Sequence, residues 1–227
     1  DSNEINNLPS LKVNEKIISD VVHICEGVYT PINGFMSIEE IKSVLSNNKL
    51  LTGESWTLPI ILQVTKNDIS KLTHSGRIVL KDSITSEPVG FLDIQTIEKF
   101  NVNNFIKSWF GTDDKSHSGV QEILNGGDYI ISGETFLFNK YRKETKKDFE
   151  FSPKQTRAIF YHNGWNNVVG FHTRNVPHTA HEYIQRKALE LSNTDAILLS
   201  PVTGVKKIGD FKTNIIINCY QELINKG

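Results

Sequence analysis

Six side chains that could do chemistry stand close together: His172, Thr173, Arg174, Asn175, His178 and His181. They follow directly on the short apolar run 168–171, and a helical pattern takes over at about His178. A strand, a polar loop and a helix start, in that order, are what an open α/β sheet uses to hold a phosphate. The strand carries side chains to the carboxyl edge of the sheet, and the helix start offers N–H groups and a partial positive charge. Arg174 adds a forked donor suited to a planar or tetrahedral oxyanion. His178 and His181 are three apart, so on a helix they share one face and can point at the same phosphates.

Each feature has an ordinary reading as well. Histidines three apart on a helix are more often surface residues or locally hydrogen-bonded. Six polar side chains within ten residues, right behind a buried strand, weigh against it, because such density is costly in a core and idle in a connector. A zinc site would need a third ligand. None is well placed nearby and Glu182 lies off the shared face, so no protein-bound metal is expected.

The surrounding elements must position this loop. Ile184, Ala188 and Leu191 are spaced to form the buried face of a helix running to about residue 192. A second apolar run, 196–199, makes a βαβ unit with parallel strands and a right-handed crossover. The loop 200–210 then leaves from the same sheet edge. Its Lys206 and Lys207 are candidates for added positive charge, although a solvated lysine is the commoner role. Ahead of this unit, Ser152 and Pro153 suit the start of a short helix over 154–161. Residues 211–224 read as helical or mixed. Two strands make too small a sheet, so further C-terminal sequence, or cover from another chain, is expected.

The N-terminal part reads differently. Residues 27–36 form a loop with two glycines and a proline. A helix then starts at Ser37, with Glu40 completing a capping box and Met36 and Ile41 available as a staple. Its buried stripe is Ile41, Val44 and Leu45, and Asn47-Asn48 marks its end. Strands are expected in 56–64, where Pro59 argues for an edge or bulge, and in 77–80, 88–97 and 129–138, with a short helical piece at 67–72. This is a mainly β domain of small-barrel type with helical insertions. Residues 110–120 read as a solvated turn with Asx-type capping, and the charge run 142–148 as an exposed connector. The boundary falls near 150, giving a β domain over 1–150 and an α/β domain over 151–227.

Composition narrows the function classes. Hydrophobic content of 38% and charged content of 22% fit an ordinary globular protein, and the formal net charge of -1 offers nothing to nucleic acid or an anionic membrane. No apolar run is long enough to span a membrane, and the polar lead does not read as a signal peptide. Cys25 and Cys219 are too few for a disulfide scaffold, so a reducing, cytoplasmic setting is expected.

Four segments, in order, resemble those of the ATP sulfurylases (sulfate adenylyltransferases). Residues 27–36 are similar to that family's Gly-x-Phe/Tyr-x-Pro-Leu-x-Gly-Phe-Met loop. Residues 110–120 resemble its Phe-Gly-Thr-Asp-Asp-x-x-His-Pro-Gly-Val segment, with Ser118 for the proline. Residues 164–182 resemble its Gly-Trp-x-x-Val-Val-x-Phe-Gln-Thr-Arg-Asn-Pro-x-His-x-x-His-Glu core, and 201–210 its Pro-x-x-Gly-x-x-Lys-x-Gly-Asp loop.

The resemblance implies a PUA-like β-barrel domain followed by a Rossmann-like nucleotidyltransferase α/β domain that is cut short within this chain. It implies a reaction of ATP and sulfate giving adenylyl sulfate (APS) and pyrophosphate, with Mg2+ arriving with ATP. It also implies a homo-oligomer in the full-length form. In that frame Arg174 holds sulfate and the α-phosphate. Thr173 and Asn175 hold nucleotide and phosphate oxygens, and His178 and His181 stabilise charge on the β- and γ-phosphates. His172 stands at the family's glutamine and belongs to the same ATP- and sulfate-binding set.

The departures bear on activity. An imidazole at 172 has a charge that varies with pH. Val176-Pro177 inverts the usual proline-then-aliphatic order, and Ser200 replaces a histidine. The family's Gly-Arg-Asp motif is absent from these 227 residues, so this stretch alone is expected to turn over slowly or not at all. Two other readings stand beside the enzyme: a non-catalytic or divergent module that binds nucleotide or oxyanion, and a nucleotidyltransferase using the histidine pair on a different acceptor.

Overall fold

The computed structural model describes residues 5, 7–72, 76–139, 150–191, 193–202 and 209–226. The chain divides into two compact units, 1–154 and 155–227.

The first unit is built on a six-stranded sheet. Its strands are β1 (Ser10–Val13), β2 (Gly34–Phe35), β3 (Leu62–Val64), β4 (Gly76–Asp82), β5 (Pro88–Lys99) and β6 (Tyr129–Leu137). Their order is β1-β4-β5-β6-β2, with β3 also paired to β6. The β1–β4 pair is parallel and the others are antiparallel. Helices follow local signals. α1 (Glu15–Cys25) starts on Asn14, whose side chain accepts the Ile17 N–H at 3.0 Å. It was not foreseen: its apolar positions are interspersed with charge, and β1 before it is short.

The capping box on α2 (Ile38–Asn47) forms as expected. The Glu40 N–H donates to Ser37 Oγ, the Ser37 N–H donates back to Glu40 Oε2 at 2.7 Å, and Asn48 closes the helix at φ 53°. α3 (Lys66–Ile69) carries a second such box from Thr65 and Asp68. The expected strand over 56–64 shrinks to Leu62–Val64, because Pro59 cannot donate to a ladder. Met36 and residues 60–64 instead meet near β6, where the Met36 N–H donates to the Ile60 carbonyl at 2.9 Å.

The loop 27–36 is tied down at both ends. The Tyr29 hydroxyl donates to Asp20 Oδ1 at 3.3 Å on α1. At the other end Gly34 lies against β6 so closely that a Cβ there would sit 1.8 Å from the Gly133 carbonyl oxygen. Of the stretch 110–120, residues 111–117 connect α4 (Ile106–Phe110) to α5 (Ser118–Asn125), which takes in 118–120, and the connection is held by capping bonds, among them Ser116 N–H to Asp114 Oδ1 at 2.8 Å. The core between sheet and helices contains Val21, Ile41, Val44, Ile78, Leu80, Leu92, Ile130 and Ile131, all fully buried. The charge run 142–148 lies outside the described residues.

The second unit contains β7 (Val168–Thr173) and β8 (Ala196–Pro201), which form a two-stranded parallel sheet. Its helices are α6 (Pro153–His162, which begins just before the division), α7 (Thr179–Leu189) and α8 (Thr213–Lys226). One expectation fails here. Ile184 and Leu191 were to face inward on α7, yet they are 53% and 60% exposed, while Gln185 is buried. The inward stripe of α7 is His181, Gln185 and Ala188, turned from the apolar one, because tertiary packing overrides local hydrophobic pattern.

Candidate active site

β7 runs two residues further than its apolar stretch, taking in His172 and Thr173. The parallel register holds Thr173 beside Pro201, so the loops after β7 and β8 emerge together. At the opposite end, Asp195 clips the strand starts. Its Oδ2 accepts the N–H groups of Asn166 and Asn167, each at 2.8 Å, and the two bonds, that from Asn167 foremost, hold the carboxyl below its ordinary value. Near the loop end the Val202 N–H donates to the Thr173 carbonyl at 2.8 Å.

The six expected residues fall into two sets. His172, Arg174, Asn175 and His178 are exposed at the carboxyl edge of the strands. Thr173 is only 7% exposed; its hydroxyl is turned inward, where Oγ1 accepts the Asn175 N–H at 3.2 Å. That bond shapes the turn that presents Arg174 and Asn175. Arg174 donates through Nη2 to Asp210 Oδ2 at 2.9 Å, with its own side chain half exposed. Asp210 has no role in the residue-level expectation above. The signal was there: it closes the second loop leaving the same edge, and an arginine fork needs an orienting carboxylate. Lys206 and Lys207 lie outside the described residues.

α7 opens on His178, whose backbone is extended at φ -145° and whose side chain makes no capping hydrogen bond. The first-turn N–H groups of α7 therefore lack the side-chain acceptor that Asn14, Ser37, Thr65 and His117 give to α1, α2, α3 and α5. The rings of His178 and His181 stack with centroids 3.8 Å apart, and Phe171 meets His181 edge-on at 5.3 Å. Burial pushes His181 below the ordinary imidazole value of 6.5; His178 pushes the same way and the Val176 backbone opposes. His181 Nδ1 is buried without a partner. The His181 imidazole thus lies on the first turn of α7, a helix start that no side chain caps.

A shallow cavity of about 260 Å³ beside the start of α7 is lined by Pro177, His178, Thr179, Glu182, Cys219, Glu222, Leu223 and Lys226.

In class, then, this chain is a PUA-like β domain followed by an α/β unit of nucleotide-binding type. Residues 2–140 match the family model for a PUA-like domain, and residues 147–226 match that for ATP-sulfurylase. The chain thus joins a PUA-like domain to an ATP-sulfurylase segment. It is 34% identical over 221 residues to a sulfate adenylyltransferase from Ignicoccus hospitalis, covering 97% of this chain and 56% of that one. It is 34% identical over 215 residues to one from Pyrococcus abyssi, covering 95% and 55%. A sulfate adenylyltransferase from Trichormus variabilis is 32% identical over 217 residues, covering 96% and 55%. The chain thus spans a little over half the length of these relatives. Among solved structures, a hexameric APS kinase from Thiobacillus denitrificans shares the fold with a TM-score of 0.69 and 18% identity, covering 100% of this chain and 40% of that one.

Proposed function

We propose that this chain carries the oxyanion and phosphate site of a sulfate adenylyltransferase, which joins ATP and sulfate into APS and releases pyrophosphate. A sulfate oxygen attacks the α-phosphorus in line, the new P–O bond forms, and the bond to the pyrophosphate oxygen breaks. Sulfate is already ionised, so the site's work is positioning and charge neutralisation. The observation that carries this reading is the exposed Arg174, held by Asp210 just past β7, in the loop that leads to the uncapped start of α7. Arg174 binds sulfate and the α-phosphate with the donors Asp210 leaves open. Asn175 reaches nucleotide and phosphate oxygens from a turn that Thr173 fixes. His178 and His181 meet the β- and γ-phosphates and stabilise their charge as pyrophosphate departs, and His172 borders the same edge.

Magnesium enters as the ATP complex. Its place is on the nucleotide's own phosphates, as magnesium is usually carried. The proposed setting is the cytoplasm, which two cysteines outside any disulfide suit, and the proposed full-length form is a homo-oligomer. No helix among the described residues is long and apolar enough to cross a membrane.

Calorimetric titration with APS tests the reading. Wild-type chain should bind it, and Arg174→Ala should weaken binding roughly ten- to hundredfold, the range for losing hydrogen bonds to a charged group. Affinity unchanged by that substitution would sink the assignment.

A further inference from the structure

We propose that Tyr220 and Gln185 are positioning residues for the 173–175 loop: together they back the Thr173 hydroxyl from the core side, while Thr173 fixes the Asn175 amide. The proposal rests on the reading of this loop as the anion site. Thr173, Gln185 and Tyr220 come from β7, α7 and α8, and are only 7%, 9% and 4% exposed. Gln185 Nε2 and the Tyr220 hydroxyl are fully sequestered, and neither makes a hydrogen bond of good geometry. Yet the Tyr220 hydroxyl lies close enough to Thr173 and Gln185 for both to oppose the upward push that burial gives the phenol.

Packing alone does not account for this arrangement. A buried polar end without a good partner costs free energy, and Phe or Met would fill the same space without that cost. The proposed gain is contact with the Thr173 hydroxyl. Its Oγ1 already accepts the Asn175 N–H at 3.2 Å, which leaves one lone pair and its own proton free to meet the phenol and the amide. A second tie, the Val202 N–H on the Thr173 carbonyl at 2.8 Å, anchors the backbone of the same residue. Thr173 is thus tied within the sheet, and the proposed support from the two helices behind it would stiffen the turn bearing Arg174. Neither Tyr220 nor Gln185 would touch a ligand.

The test uses Tyr220→Phe and Gln185→Met, which keep volume and remove the polar end. Three quantities are read: melting temperature without ligand, the Asn175 amide in NMR (shift and hydrogen exchange), and APS affinity. The expected result is a melting temperature within about 2 °C of wild type, an Asn175 amide that shifts and exchanges faster, and affinity weakened roughly fivefold. Thr173→Val should be worse than either helix variant. An Asn175 amide unmoved in both helix variants, or affinity unchanged despite a moved amide, overturns the proposal. Should Tyr220→Phe fail to fold, Gln185→Met decides. A wild-type chain that binds no APS would instead fail the reading of the site, and the amide would then decide the positioning role.

Discussion

Two isoleucines set the two units apart. Ile41 on α2 is fully buried; Ile184 on α7 is 53% exposed. The contrast is general. The buried apolar side chains belong to the first unit except for Ile216 and Tyr220, while Phe151, Tyr161, Tyr183, Leu189, Leu191 and Phe211 stand exposed in or next to the second. Polar groups follow the same division. Four helices of the first unit begin on side-chain caps, whereas α7 begins on a histidine that caps nothing. The first unit holds nearly all of the deeply buried apolar side chains and caps four of its helix starts, although Leu51, Leu58 and Ile84 stand exposed in it and α4 has no side-chain cap. The second buries far fewer. An unsatisfied N–H at a helix start is a cost in a closed domain and an asset where an anion binds.

The largest effect should come from testing the isoleucines directly. Ile41→Ala ought to lower stability by about 3 kcal/mol, since it empties a fully packed site. The same change at Ile184 should stay within about 0.5 kcal/mol. Chemical denaturation of both variants measures this. Equal losses would mean that α7 is packed as tightly as α2, and the division between units would fall.

Next in size is the arginine. Arg174→Ala should cost roughly 2 kcal/mol of APS binding, in line with a charged hydrogen-bonding group, while leaving the melting temperature in place. A stability loss comparable to the binding loss would mark the Arg174–Asp210 pair as a fold element. Half-exposed ion pairs seldom hold a fold together.

How far the sequence foretold this contrast depends on how local each signal is. The capping box of Ser37 and Glu40 was legible because both partners lie within one turn. β7 and β8 were legible as apolar runs, and the pair His178 and His181 as a shared face. The inward stripe of α7 was not. Its apolar residues mark one face and its packing chooses another, and only the neighbouring β7 and α8 decide which. The inward turn of the Thr173 hydroxyl was hidden for the same reason: residue type shows what a side chain can do, not which way it points. β1 was missed because four residues paired in parallel with a strand some seventy positions later leave almost no local mark.

The caps give a smaller test of the same contrast. Ser37→Ala should destabilise the first unit by about 1 kcal/mol, since it leaves an N–H unpaired at the start of α2. His178→Ala removes no capping bond and should leave stability nearly unchanged while weakening the binding of magnesium–ATP. If His178→Ala proves as destabilising as Ser37→Ala, the start of α7 is closed by its own histidine and is not open to a phosphate.

The smallest effect is the most specific, and it concerns pH. Burial holds the folded-state value of His181 below the ordinary 6.5. Between those two values the unfolded chain binds more protons than the folded one, so stability rises with pH across that window. The contribution of His181 is therefore full above 6.5 and is lost as pH falls toward the depressed folded value. Melting temperature should drop for wild type between about pH 7.5 and about pH 5.5, and drop less for His181→Asn. Ligand affinity should move the other way. A phosphate beside the imidazole favours its charged form, so binding of magnesium–ATP by wild type should strengthen with acidity relative to His181→Asn, whose own slope reports the titration of the nucleotide. Opposite slopes for stability and binding, both flattened by one substitution, are what a desolvated imidazole facing an anion must give. If the two slopes ran in parallel, His181 would be an ordinary packed side chain, and the outward-facing character of the second unit would have to rest on Arg174 alone.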